Sequence, residues 1–328
     1  MDDVRTVRAG RRTVALHRLR KVLFPAGATD GHISRHVDGH TDGHPGGSGH
    51  TKEDLFDYYR AVAPYMLPHL RGRPLTLERH PDGVGGPRFL QKETPDHYPE
   101  WVTRAEVAKE GGTVTHTVCD DTATLLFLAD QACLTLHRWL SRTRRVDHPD
   151  RMVFDLDPAQ DDPVKDDFDV VRDAALLLGE LLDHMGLPSA PMTTGSRGLH
   201  VVVPLDGRHD FDDVRDFAHE VADTLADTHP ERFTTAARKQ ARGDRLHLDV
   251  QRNGYAQTAV APFSVRSAPG APVAVPIAWR QLDDPTVLAR RWTIDNAVEQ
   301  ARTDPWADVL RAGRALGPAR HKLRALRG

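Results

Sequence analysis

The chain has 328 residues, 39% apolar and 28% charged, enough to bury a core as one large domain or as two lobes around a cleft. Its only cysteines, Cys119 and Cys133, form no CxxC pair, which argues against a disulfide scaffold or a structural zinc site and fits a reducing cytosol. The net charge of −3 gives no support to bulk attraction for nucleic acid, the opening MDDVRTVRAGRRT lacks the apolar stretch of a signal peptide, and no apolar run approaches the ~20 residues of a membrane helix, so a soluble cytoplasmic protein is expected.

Residues 1–24 read as a basic stretch followed by a short strand and a turn. Residues 26–50, rich in Gly and His and almost without core formers, read as a disordered loop. His32, His36, His40 and His44 recur at helical spacing, but Gly39, Gly43, Pro45 and Gly46 oppose the helix that would gather them on a metal. Thr51 and Asp54 form a capping-box pattern opening a helix through LFDYYRAVAPYMLPHL, which Pro64 and Pro68 are expected to kink or end. PDGVGGP (81–87) marks turns, and Leu125–Leu140 has helical periodicity. Arg151–Asp157 predicts a short strand, Phe168–Met185 an amphipathic helix stopped by Gly186 and Pro188, and 190–205 two strands around a glycine turn. Phe211–Thr228 predicts another helix. Leu246–Gln251 and Thr258–Val265 read as a hairpin around Asn253 and Gly254. Elements mix without regular βαβ alternation, so the expected class is α+β with a largely antiparallel central sheet. The last stretch, from Arg311 to Gly328, carries six Lys/Arg residues and no acid, which suits either a solvated tail or phosphate contacts.

Three features carry chemistry. In MVFDLDP, Asp155 and Asp157 share one face of a strand while Leu156 packs on the other. Adjacent carboxylates repel unless a cation neutralises them, and two hard divalent ions between them would suit phosphoryl transfer. Two solvated acids at a strand end are the plain alternative. Asp249, in RLHLDVQ, is the best candidate for a third carboxylate. In TTGSRGLH, two glycines let the backbone approach an anion, with Thr194, Ser196, Arg197 and His200 as phosphate-binding groups; a generic turn with a core histidine has the same pattern. Arg252 and Arg266 could fold toward the same cleft or lie on the surface.

The order of these motifs resembles the archaeo-eukaryotic primase superfamily: FDLDP, about forty residues, TxGx(K/R)GxH, then LDxxxNxxxTxxAPFSxR. The chain is most similar to the polymerase module of bacterial ligase D, which acts in Ku-dependent non-homologous end joining. KVLFP, TKEDLFDYYRAVAPYMLPHLRGRP, PDGVGGPRFLQK, LHRWLSR, PDRMVFDLDP and DPWADVL extend the likeness over nearly the whole chain. The resemblance implies a single primase-polymerase domain over 1–328, with an RRM-like catalytic sheet flanked by helices and a second lobe forming a cleft. It implies a monomeric nucleotidyltransferase that adds ribo- or deoxyribonucleotides (NTP or dNTP) to a DNA 3′ hydroxyl, at ends, gaps and primer-templates. Two Mn²⁺ or Mg²⁺ ions would sit on Asp155, Asp157 and Asp249. His200, Thr194, Ser196, Arg197, Arg266 and His137 would bind the nucleotide, and Lys21, Lys52 and Phe89 the DNA and its 5′ phosphate. Ku and a separate ATP-dependent DNA ligase follow as candidate partners, at a bacterial nucleoid and without a membrane.

Several positions depart from the pattern. Thr194 stands where serine is usual and Arg197 where lysine is frequent, both keeping the chemistry. Leu90 replaces a frequent second phenylalanine, and Glu78 lies where a basic residue is common, which weakens the expected grip on DNA. Ala268 stands where a second arginine often follows Arg266. The His-rich insertion separates Lys21 from Lys52 in sequence. Two other readings stay open: a haloacid dehalogenase-type phosphatase, whose DxD start MVFDLDPA also fits, with Asp155 as nucleophile, and a catalytically weak module that binds DNA ends or Ku.

Overall fold

The computed structural model describes residues 4–26, 49–158, 168–311 and 313–327. The four regularly spaced histidines of the insertion lie outside these ranges. The basic opening forms a hairpin of Val4–Ala9 with Arg12–His17, rather than one strand and a turn. Thr51 and Asp54 do form a capping box, starting the helix Lys52–Leu70. That helix runs through Pro64 and Pro68 instead of ending at them. Its face of Leu55, Phe56, Tyr59, Val62, Ala63, Met66 and Leu67 is buried throughout, and this packing outweighs the hydrogen bonds the prolines cannot donate.

Two sheets organise the chain. The larger runs in the order Phe233–Thr234, Leu246–Asp249, Arg151–Asp157, Leu199–Pro204, Ala190–Thr193 and Val275–Pro276. Its neighbours are antiparallel except the first pair. The class is the mixed one expected, with antiparallel pairing dominant. Strand alternation divides the side chains of Arg151–Asp157. Met152, Phe154 and Leu156 join Val201 and Val203 in the core that helices Phe168–His184 and Phe211–Thr228 complete. Val153 and Asp155 face the other way, where Val153 meets Val202, Trp139, Ala259 and Val260.

Those last three residues belong to the second sheet or its end: Thr258–Val260, Cys133–Trp139, Leu75–Arg79 and Phe89–Gln91. This corrects two expectations. Leu125–Leu140 is not one helix; the helix Thr122–Asp130 stops, Ala132 takes φ 55°, and Cys133–Trp139 continues as a strand. From residue 133 onward the period is two. Leu134 and Leu136 are buried toward helix Lys52–Leu70 along with Leu75 and Leu77, while Thr135 and His137 share the opposite face with Glu78 and Thr76.

The expected hairpin is also absent. Leu246–Asp249 pairs with Arg151–Asp157, whereas Thr258–Val260 pairs with Cys133–Trp139 in the other sheet. The chain leaves its strand in a 3₁₀ turn, Gln251–Asn253, and the fully buried Asn253 side chain takes over the pairing. Its Oδ1 accepts from Val153 N at 2.8 Å, and its Nδ2 donates to Val153 O at 2.7 Å and Val250 O at 2.9 Å. Asn253→Ala strands all three backbone partners. It should cost about 2–4 kcal/mol, read as a lower urea midpoint at unchanged m value.

The basic C-terminal run forms a helix, Leu316–Arg327, that buries Leu316, Ala319 and Leu323. Three of its cations meet acidic and carbonyl partners on the protein itself: Arg327 lies 3.6 Å from Asp227, Arg320 donates to Asp213 O and Lys322 to His184 O. No helix among the described residues is long and apolar enough to cross a membrane.

Candidate active site between the two sheets

The register of the large sheet sets the acids. Asp155, on the central strand, stands opposite Asp249 on one side and opposite His200 on the other. Asp157, two residues along the same face, stands opposite His247. The late carboxylate therefore lies beside the early pair, although its Oδ1 currently caps the next turn by accepting from Gln251 N at 2.7 Å. Among the described residues no three His, Cys, Asp or Glu side chains are already drawn into a closed metal cage.

Asp155 is 3% exposed, and His200 and Arg252 engage its two oxygens. His200 Nε2 lies 3.3 Å from Oδ1, and Arg252 Nε donates to Oδ2 at 3.1 Å. Burial alone would raise this carboxyl, but its contacts with His200 and Arg252 outweigh that and hold it well below the usual carboxylate range. Asp157 goes the other way: burial, reinforced by the neighbouring Asp155 charge, pushes it up to about 6. Two carboxylates on one face thus have unlike environments, and the second resists ionisation.

The glycine turn closes against this pair. Gly195 has φ +64°, open to glycine at no steric cost. Thr194 shapes the loop rather than facing only outward: its Oγ1 donates to Gly198 O at 3.0 Å and accepts from Ser196 N and Gly198 N. Arg290 Nε donates to Ser196 O at 3.0 Å, tying the loop from the far side. Arg197 lies near enough to favour the charged form of Asp157.

Together these elements line an open pocket between the sheets. Its walls include Asp155, Asp157, His200, Thr194, Ser196, Arg252, Arg266 and His137, with Thr258 and Val260 beneath. Burial, despite the nearby acids, lowers the pKa of Arg266 from its ordinary value. One wall is thus anionic and the others carry guanidinium and imidazole groups, a polarity that matches a metal-bound polyphosphate. His247 was not singled out by sequence, and Glu78 only as a departure from the pattern; each is brought to the site by strand register, which local motifs do not encode.

The family model of the LigD primase-polymerase domain matches residues 51–306. The chain belongs to the LigD primase-polymerase domain family. It is 34% identical over 286 residues to the Mycobacterium tuberculosis H37Rv multifunctional non-homologous end joining DNA repair protein LigD, covering 84% of this chain and 36% of that protein. The Bacillus subtilis bifunctional LigD is 32% identical over 264 residues, covering 80% of this chain and 42% of the relative. A solved structure, the polymerase domain of Mycobacterium tuberculosis ligase D in complex with DNA, superposes with a TM-score of 0.72 at 32% identity, over 78% of this chain and 90% of that one. The chain thus spans roughly a third to two-fifths of the length of these curated LigD relatives.

The residues that the resemblance assigned to DNA lie away from the pocket. Despite the insertion, Lys21 and Lys52 are adjacent in the fold: Lys52 N donates to Lys21 O at 2.8 Å. Their ammonium groups nevertheless diverge. Lys21 pairs with the largely exposed Asp82 at 2.7 Å, whereas Lys52 is buried and donates to Asp130 at 2.7 Å and to His17 O at 2.8 Å. Burial, only partly offset by Asp130, lowers the Lys52 pKa. Phe89 is 54% exposed and Leu90 57%, side by side on an edge strand. Glu78, which stands where a basic residue is common in the family, is turned inward and buried.

Proposed function

We propose that the pocket adds nucleotides to a DNA 3′ hydroxyl by divalent-metal catalysis, in gap filling and end joining. The observation that carries this is the row Asp249–Asp155–His200 across three adjacent strands, with Asp157 beside it and Arg252 and Arg266 around the same pocket. The residues fit a divalent cation: the donors are hard carboxylate oxygens, and the raised Asp157 carboxyl is the group such a charge would relieve. Asp155, Asp157 and Asp249 would hold Mn²⁺ or Mg²⁺. Ions bound there supply a lowered pKa for the attacking hydroxyl and charge neutralisation on the triphosphate. The chain's own cations do the rest. Arg266, Arg197 and His200 hold the phosphates, and Arg252, which bonds Asp155, keeps that carboxylate ionised. No covalent enzyme intermediate is needed.

The phosphatase reading needs only the Asp155 and Asp157 pair and gives no role to Asp249, which stands opposite Asp155 in the sheet. DNA is the nucleic-acid partner this reading implies, and Ku with a separate ATP-dependent ligase would complete the repair. Primer extension across a short gap, with Mn²⁺ or Mg²⁺ and labelled NTPs or dNTPs, tests the activity. Incorporation that requires the metal is expected; binding of ends without incorporation under either metal would leave only the end-binding role. Arg266→Ala should raise the KM for nucleotide about tenfold with a smaller change in kcat, as a charge-assisted phosphate contact does.

A further inference from the structure

Among the described residues, Glu78 is the one buried carboxylate next to the pocket that the reaction above does not use. It lies on strand Leu75–Arg79, on the face shared with Thr135 and His137, and is 4% exposed. Its Oε1 accepts from His80 Nε2 at 3.1 Å and from the Ser267 hydroxyl, with Arg88 Nη1 at 3.7 Å. Its Oε2 lies 3.6 Å from His137 Nε2. The contacts therefore come from three places: the segment after its strand, with His80 and Arg88, the neighbouring strand Cys133–Trp139 that carries His137, and the loop that carries Arg266. His137 and Arg266 both line the pocket.

We propose that Glu78 is a positioning residue for the nucleotide, fixing His137 on one wall and, through Ser267, the Arg266 loop on another. The proposal rests on the polymerase reading for the identity of the ligand. A carboxylate taken out of water needs its charge and lone pairs met, so wherever the protein buries one it constrains the donors around it. Here those donors are the pocket wall. Burial would raise the Glu78 carboxyl, but His137, Ser267 and His80 outweigh it and keep it ionised. With Nε2 turned to that fixed anion, His137 is left its Nδ1 edge for a ligand, in a set orientation. The acid at position 78 thus acts on the nucleotide side rather than on DNA. Its partner loop reads Arg266-Ser267-Ala268, so the hydroxyl that binds Glu78 directly follows the arginine in the pocket.

The test measures binding of a fluorescent NTP with Mn²⁺, alongside steady-state gap filling, in the full chain. Glu78→Gln should weaken nucleotide binding and raise KM about tenfold while kcat and DNA affinity change less than about twofold. In a His137→Ala background the same substitution should add less than about threefold, because its route through His137 is gone. Ser267→Ala, which removes one donor only, should give about threefold and serves if Glu78→Gln does not reach a cooperative thermal melt. Wild-type nucleotide affinity in a folded Glu78→Gln protein, or an undiminished tenfold effect without His137, overturns the proposal. A wild-type protein that binds nucleotide tightly but never incorporates it would instead overturn the polymerase reading and leave the positioning role standing; one that binds no nucleotide would end both.

Discussion

Asp157→Ala should abolish nucleotide incorporation, by about a thousandfold or more, while leaving DNA binding measurable and the metal-free protein no less stable than wild type. The third part distinguishes a metal ligand from a structural acid. Asp157 stands beside the ionised Asp155 in a buried setting that raises its carboxyl from the ordinary 3.8 to about 6. A raised acid works against the fold as pH increases: the native state keeps its proton more readily than the unfolded chain, so stability present below pH 4 is lost as pH climbs through about 6. Complete by neutral pH, this displacement amounts to about 3 kcal/mol. Removing the carboxyl removes the penalty, so metal-free Asp157→Ala should melt at or above the wild-type temperature at pH 7, and the two should converge near pH 4. Adding Mn²⁺ should raise the wild-type melting temperature and leave the variant's unchanged. A large drop in the metal-free melting temperature would show that Asp157 is structural; full activity in the variant would remove it from the reaction.

How much of this could be read from the residues differs by element, for physical reasons. Arg151–Asp157 and Phe211–Thr228 form at the predicted bounds because each has one clear period and a stop signal. Leu125–Leu140 misled because apolar residues on both sides of a turn happen to keep helical spacing; the break is a single residue, Ala132, in the left-handed region, and alanine does not announce such a turn. The hairpin failed because Asn253-Gly254 looked like turn chemistry, while the Asn253 side chain was committed to Val153 on a strand one hundred residues away. The site divides in the same way. Asp155, Asp157 and the glycine turn are local patterns and could be found in the sequence. That Asp249 would stand opposite Asp155 depended on strand pairing that only the motif order of a known family hinted at. Lys52 was assigned by resemblance, and nothing local indicated that Asp130 would hold it. Glu78 was noticed as a departure, but its consequence came from burial beside His137.

The second large effect is expected at Gly198, through space rather than charge. A β-carbon placed there would lie 2.1 Å from the Leu156 carbonyl oxygen and 2.8 Å from Asp157 Oδ1. The carboxylate could rotate away, at the expense of the proposed metal site. The carbonyl cannot, since Leu156 is paired with Leu199 in the central sheet and its own side chain is locked in the core. Alanine therefore has to push the turn off the strand, and Thr194, which holds Gly198 through both its backbone and its hydroxyl, moves with it. Overpacking of this kind costs about 1–3 kcal/mol, visible as a lower urea midpoint. A shift of an ångström between the glycine turn and the acids should also lower kcat/KM by about a hundredfold. Gly85→Ala is the control, because a β-carbon at that position meets nothing within 4 Å. If Gly198→Ala matched Gly85→Ala in both stability and kcat/KM, the close approach of the turn to Asp157 would have no part in catalysis, and the anion-binding role of the turn would have to be given up with it.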